Sequence, residues 1–368
     1  MRDFQKIINE RQIKKVVHFH TDHFEPNTTE ASIHQLSEIE TFSRLCQQYP
    51  HAKKSSLFTT FNMHRCVNEK FKKADYVYKL PNDVITFYNS LKYFSFLDNS
   101  LQLLHANGHD IQIHIHHEHW TKNLQKIDND GIKLALLNSP VTDSQRLEFY
   151  LKMQLTFFRK ALNLPFNEWY FIHGCWALNA SDLNICTLSD EIQILHRNGC
   201  RGDFTFPSSR AHCNPFITSP YTVKPYNHIV SYKLDIAEPK IIGQDTNIIT
   251  PDRFLIWNNN HEDYTVICLD RLWQSAYDNW PIDKTVYFWF LKSFVVNNTL
   301  FIKTFSHSLM TELYWKDLKN PTFPLIHPKV IQTFQKLEEI CNNLKIELQY
   351  ATTTEVVNQL KNYDNTTK

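Results

Sequence analysis

The sequence predicts an α/β fold whose mainly parallel sheet closes into a barrel of about seven strand-and-helix units. Three observations predict it. Short segments alternating apolar and polar residues take turns with longer segments of helical periodicity. Two helical segments end on a glycine, at Asn107-Gly108 and at Gly199, and a strand pattern follows each at once. Clusters of His, Asp and Glu fall just after strand patterns, where the chemistry of such folds collects.

The elements follow in order. A short amphipathic helix over roughly 3–15 leads into "VVHFHTD" (16–22), a strand with Val17, Phe19 and Thr21 on one face and His18, His20 and Asp22 on the other. A helix near 30–49, a strand "SSLFTTFN" and a helix over about 84–106 come next. Residues 111–116 read as a strand that sends Ile111, Ile113 and Ile115 toward covering helices and Gln112, His114 and His116 toward a lumen. Then come a helix at about 143–162, a strand "WYFIHG", a helix near 188–198 and a strand "CRGDFTF". Residues 208–283 are rich in Pro, Asn and Ser and read as long loops with short strands. Regular elements then resume: "TVYFWFLKSFVV" (285–296) as a helix, "LFIKTFS" as a strand, a helix at 329–344, "IELQYAT" as a last strand, and a helix near 354–362.

Composition narrows the function. The 26 Phe, 16 Tyr and 8 Trp among 368 residues are enough for a large core, and one domain spanning 1–368 accommodates them. The net charge is +1 and Lys and Arg are dispersed, so no nucleic-acid partner is expected. The eight cysteines form no CxxC pair and the opening "MRDFQKIINERQIKK" is not a signal-peptide pattern, so reduced thiols and a cytoplasmic setting are expected. No window approaches the roughly 18 apolar residues of a membrane span.

The densest chemistry is in "GHDIQIHIHHEHW" (108–120), where His114 and His116 are followed by His117, Glu118 and His119. Imidazole and carboxylate together suit a borderline divalent cation, Zn²⁺ first, with Mn²⁺, Fe²⁺, Co²⁺ or Ni²⁺ as alternatives. "VVHFHTDHFEP" repeats the design, with His20 and Asp22 on one face and His23 and Glu25 beyond. An acid at a strand end is placed to be a ligand or a general base; it can equally cap the next helix. His307, just past "IKTFS", is a candidate proton donor, and Trp176 beside His173 a candidate platform for a sugar ring, against the plainer readings of structural His and core Trp.

Together these segments resemble the polysaccharide-deacetylase-like (NodB-homology) superfamily over about 16–357. "HFHTDHFEP" is similar to its acidic first motif, "GHDIQIHIHHEHW" to its second, "FIHGCWALNASD" to its third, "ILHRNGCRGDFTFPS" to its fourth and "FIKTFSHSL" to its last. The resemblance implies a distorted (β/α)7 barrel with a divalent metal at the strand ends. It implies Asp22, His114 and Glu118 as metal ligands, with His20, His116 or His119 as possible additions. It implies His23, Glu25 and His307 in catalysis, and His173, Trp176 and Asp203 at a carbohydrate substrate. The family has two adjacent aspartates where this chain has Asp22 and His23, so either Asp22 binds metal and His23, His20 or Glu25 is the base, or Asp22 is the base and His23 the ligand. The implied reaction is removal of an acyl group, N-acetyl first, from a sugar or polysaccharide precursor of a bacterial surface glycan. The alternatives are a barrel that binds carbohydrate without cleaving it, and a glycosidase using a pair among Asp22, Glu25, Asp203 and Asp245.

Overall fold

The computed structural model describes residues 1–24, 32–59, 94–115, 143–182, 186, 188–206, 215, 217–225, 238–258, 268–269, 279–308 and 323–366. In chain order these form α1 (Arg2–Glu10), β1 (Lys15–Phe24), α2 (Ser32–Cys46), α3 (Pro50–Lys53), β2 (Ser55–Thr59), α4 (Phe94–Ala106), β3 (Asp110–Ile115), α5 (Asp143–Leu162) and β4 (Trp169–His173). Two 3-10 turns, Gly174–Trp176 and Leu178–Ala180, lead to α6 (Glu191–Arg197), β5 (Cys200–Asp203), β6 (Tyr221–Val223), β7 (Lys240–Ile241) and β8 (Phe254–Ile256). The chain ends with α7 (Ile282–Lys292), β9 (Phe294–Val296), β10 (Thr299–Ser306), α8 (Pro328–Asn343), β11 (Glu347–Ala351) and α9 (Thr353–Thr366).

Among the described residues eleven strands form one sheet; ten run in the order β7-β6-β8-β5-β4-β3-β2-β1-β10-β9, and β11 pairs with β1 off that path. Its centre is parallel, and only the β9–β10, β6–β8 and β6–β7 pairs are antiparallel. β10 lies along one edge of β1, pairing with residues 15–22. The other edge is shared in succession by β11, beside 15–19, and β2, beside 20–24. The fold is therefore mixed α/β with a largely parallel central sheet.

Strand alternation divides the sheet into two faces. Val16, Leu57, Ile111, Ile113, Ile115, Trp169, Phe171, Ile256, Leu300 and Ile302 pack with helix residues such as Phe42, Leu101, Leu151, Ile194, Trp289 and Phe334. Val17, Phe19, Phe58, Tyr170, Ile172, Phe204, Leu255, Trp257 and Phe301 meet on the opposite, inner face, together with Val356, Val357 and Leu360 of α9. That inner face is concave. Phe19 of β1 and Trp257, just past β8, have ring centroids 4.8 Å apart, although five strand spacings separate their strands, about 24 Å in a flat sheet. Each large ring withdrawn from water here contributes roughly 2–3 kcal/mol, so the curl is held by the residues that line it.

The helix stops follow the expected chemistry. Gly108 (φ 86°) and Gly199 (φ 96°) take left-handed backbone after α4 and α6. At Gly199 a side chain is also excluded by space, because a Cβ would lie 2.6 Å from the Asn167 carbonyl oxygen.

One element departs from the sequence reading. The pattern of 285–296 predicts a single helix, but α7 stops at Lys292 and Phe294–Val296 form β9, hairpinned to β10. The cause is Asn297-Asn298, both with positive φ (48° and 61°), a turn that reverses the chain and pairs Val296 with Thr299. The expected parts of helices and strands at 25–31, 60–93 and 116–142 lie outside the described residues.

Candidate functional site

Three histidines from three strands meet at the C-terminal rim of the inner face. His23 follows Val17, Phe19 and Thr21 in the alternation of β1, His114 follows Gln112 in β3, and His307 follows Lys303 and Phe305 at the end of β10. The His23 ring centroid lies 5.0 Å from that of His114 and 4.4 Å from that of His307. His114 is fully buried, His23 is 5% exposed and His307 is half-buried, so the group opens toward solvent at His307. His114 Nδ1 lies 2.8 Å from the Ile172 carbonyl oxygen of β4. A carbonyl only accepts, so Nδ1 carries the proton and the ring's lone pair is on Nε2, the arrangement that suits an imidazole to a metal.

Asp22 is on the other face. Its neighbour His23 is in the rim group, and alternation turns Asp22 toward the helices. There its Oδ1 accepts from the Ser308 backbone N–H at 3.1 Å, and its Oδ2 accepts from the hydroxyls of Ser308, at 2.6 Å, and Ser306. These two serines flank His307, so Asp22 clamps the segment that presents His307 to the rim. The polar line continues down the strands. Ser306 donates its one hydrogen to Asp22, so it accepts from His20 Nε2–H at 2.9 Å. In the neutral tautomer His20 Nδ1 then accepts from Thr304, which accepts in turn from His18 Nε2–H at 2.8 Å. Burial holds His18 well below the usual histidine range, with His20 and His51 adding to the effect. The chain is closed to water: His18 is 1% exposed, and His20 and Asp22 are not exposed at all.

His173, at the end of β4, also faces the helices. With Cys186 and Glu191, the first residue of α6, it forms a group in which one ligand atom from each lies within 4.8 Å of the others. All three are buried. This group could hold a metal ion, and among the described residues it is the one cluster of three or more His, Cys, Asp or Glu ligand atoms so close together. Asp203 is nearby and registers with Phe171 and Ile256, both packed under helices. Burial pushes its carboxyl up to about 7, against the pull of two Thr205 hydrogen bonds and of Lys303. Trp176 is half-buried beside this group, with left-handed backbone (φ 60°).

Of the residues singled out in the sequence, the structure thus brings His23, His114 and His307 together on the inner rim. It places His20 and Asp22 in the helix-side line, and His173 and Asp203 under α6. Glu25, His116, Glu118 and His119 lie outside the described residues. Three residues pass unnoticed in the sequence. Cys186 and Glu191 carry no motif spacing to His173. Lys303 sits on the inner side of β10 and donates to the Phe204 and Phe206 carbonyls, and burial pulls its ammonium down to about 7. Lys303, the one charged residue in the strand "LFIKTFS", between Phe301 and Phe305 on the same face, is a signal that could have found it.

Among the described residues no helix is long and apolar enough to cross a membrane. No family model, curated protein or solved structure matches the chain.

Proposed function

We propose that the chain is a metal-dependent hydrolase that removes an acyl group, N-acetyl first, from a sugar or polysaccharide precursor, on a barrel of the polysaccharide-deacetylase type. The observation that carries the reading is the meeting of His23, His114 and His307, from three separate strands, at the C-terminal rim of a concave parallel sheet. The curl that brings Phe19 against Trp257 supports the barrel, as does the parallel bridge from Cys268 to Phe305 on the outer edge of β10.

The donor set fits a borderline divalent cation, Zn²⁺ first. His23 and His114 would hold it, joined by a donor from 116–119, which the sequence brings two to five residues after His114. Such an ion supplies Lewis acidity toward the acyl carbonyl and makes hydroxide available near neutral pH. The chain's own residues do the rest. Ile172 fixes the His114 tautomer through its carbonyl. His307, half-buried on the solvent side of the other two, is the group placed to move protons: it takes one from water as the amide carbon is attacked and returns one to the departing amine. Asp22 orients His307 through Ser306 and Ser308 instead of acting as base.

One observation favours a second reading, a barrel that binds carbohydrate without cleaving it. With Asp22 turned away, the rim shows no carboxylate among the described residues. The same geometry argues against a glycosidase. Asp22 and Asp203 both face helices, and Asp245 sits on an exposed turn, accepting from Ile241 N, so these three supply no pair across a cleft.

A deacylation screen decides between them. Acetate release from N-acetylated nucleotide-linked and lipid-linked sugars is expected with added Zn²⁺, Mn²⁺ or Co²⁺, and is expected to vanish on chelation and in His114→Ala. Sugar binding with no acetate release under any metal supports the binding reading, and release that survives both chelation and His114→Ala overturns the site.

A further inference from the structure

We propose that His173, Cys186 and Glu191 form a second, structural metal site, selective for a borderline divalent ion of the Zn²⁺ class, that locks the end of β4 to α6. The inference does not rest on the hydrolase reading, because it concerns other residues on the other face of the sheet.

The ligand chemistry comes first. His173 Nδ1 is hydrogen-bonded to the Gly174 carbonyl, so that nitrogen carries the proton and the lone pair lies on Nε2. Nε2 is 3.8 Å from Glu191 Oε2. Two electron-pair donors this close, with a sulfur beside them and no exposure to water, are spaced as ligands of one shared cation. A proton alone would draw them to about 2.7–2.9 Å, the length of a charge-assisted hydrogen bond. A tetrahedral Zn²⁺ spaces neighbouring N and O ligands at about 3.3–3.6 Å, nearer to what is observed. Cys186 brings a sulfur within 4.8 Å of both, and thiolate with imidazole and carboxylate is a borderline-metal set. Charge also balances: one thiolate and one carboxylate neutralise one divalent ion, so the buried cluster carries no net charge.

The backbone supplies the second, independent observation. Trp176, Asn179 and Ala180 all have left-handed backbone, at φ 60°, 52° and 58°. Non-glycine residues keep that conformation where surrounding contacts over-determine it. Asn179 is gripped from both sides: its backbone N–H donates to Glu191 Oε2 at 2.6 Å, and its Oδ1 accepts from Ile192 N at 3.0 Å. A metal on Glu191 and His173 completes this clamp, tying the end of β4 to the first residue of α6 across Asn179. The site is closed to substrate, since His173 and Glu191 have no exposed surface and Cys186 has 1%. Its effect reaches the rim through one strand position, because Ile172, whose carbonyl orients His114, directly precedes His173.

X-ray absorption at the zinc edge of the full chain, reloaded with Zn²⁺ after chelation, tests the assignment. A sulfur scatterer at about 2.3 Å is expected. It should persist in His114→Ala and disappear in Cys186→Ser. Glu191→Gln keeps an acceptor for Asn179 and is expected to weaken retention of the sulfur-bound metal about tenfold or more against a competing chelator. This arm stands even if Cys186→Ser fails to fold. A spectrum of nitrogen and oxygen neighbours alone, a sulfur shell unchanged in Cys186→Ser, or retention unchanged in Glu191→Gln overturns the proposal. A sulfur shell in a protein that releases no acetate leaves this site standing and removes the hydrolase reading.

Discussion

The two faces of β1 carry the same residue types in opposite circumstances. On the helix side, His18, His20 and Asp22 are sealed from water and occupied by Thr304, Ser306 and Ser308. On the inner side, one residue further along, His23 lies against two more histidines in a group that opens to solvent at His307. Residue type therefore does not separate the sealed histidines of this chain from those of the rim. Parity along the strand does, because a shift of one position exchanges a hydrogen-bonded wall for a rim.

The sharpest way to break that contrast is to remove an imidazole from each face. His307→Gln is expected to lower kcat for acetate release by roughly 10²–10⁴-fold, the range for loss of a positioned acid or base, with metal content unchanged. His20→Gln is expected to leave kcat per folded molecule within a few-fold while lowering stability. Equal kcat losses in the two variants would erase the distinction.

Asp22→Asn sharpens it further. The carboxylate accepts three hydrogen bonds in a fully buried position, and the amide replaces an acceptor with a donor facing two hydroxyls. A stability loss of roughly 2–4 kcal/mol is expected in urea denaturation, with a smaller fall in kcat from a loosened His307. Full stability with kcat abolished would make Asp22 the base.

Acid should find the helix side first. Burial lowers His109 to about 4 and His51 to about 3, while His18 is held well below its usual range. Their folded values lie below the unfolded value near 6.5, so the folded protein binds fewer protons than the unfolded one. The stability they contribute is complete above about 6.5 and is lost as pH falls through about 4 and then about 3. Each adds a slope of about 1.4 kcal/mol per pH unit within its window. Denaturation midpoints measured from pH 7 to 4 should fall steadily, and a flat profile would mean these rings are hydrated. The outer surface sets the floor: Lys361→Ala, which breaks a half-exposed pair with Glu168 at 2.9 Å, is expected to cost at most about 1 kcal/mol in the same assay.

Alternation in 111–115 is enough to send His114 inward and the three isoleucines to the helices, and the structure has that arrangement. The two glycine stops mark α4 and α6 for the same reason, since left-handed backbone is a local property. Sequence alternation also puts Asp22 on the face opposite His23. What it cannot supply is which face of β1 is the inner one, because His18, His20 and Asp22 look as chemical as His23 until Thr304, Ser306 and Ser308 are seen beside them. That pairing joins residues some 284–286 positions apart. The His173, Cys186 and Glu191 group escapes for a related reason. Its spacing follows no motif, and a strained turn at Trp176–Ala180 brings its members together. β9 escapes because its apolar run continues that of α7 with only Ser293 between them, and the signal that makes it a strand, the Asn297-Asn298 turn that hairpins it to β10, comes after it.

Anomalous diffraction at the zinc edge, from crystals of the full chain grown with Zn²⁺, tests the central claim most directly. A peak bounded by His23, His114 and His307 on the inner rim is the expected result. Zinc-loaded crystals with no peak among those three rings, whatever appears beside Cys186, would contradict it.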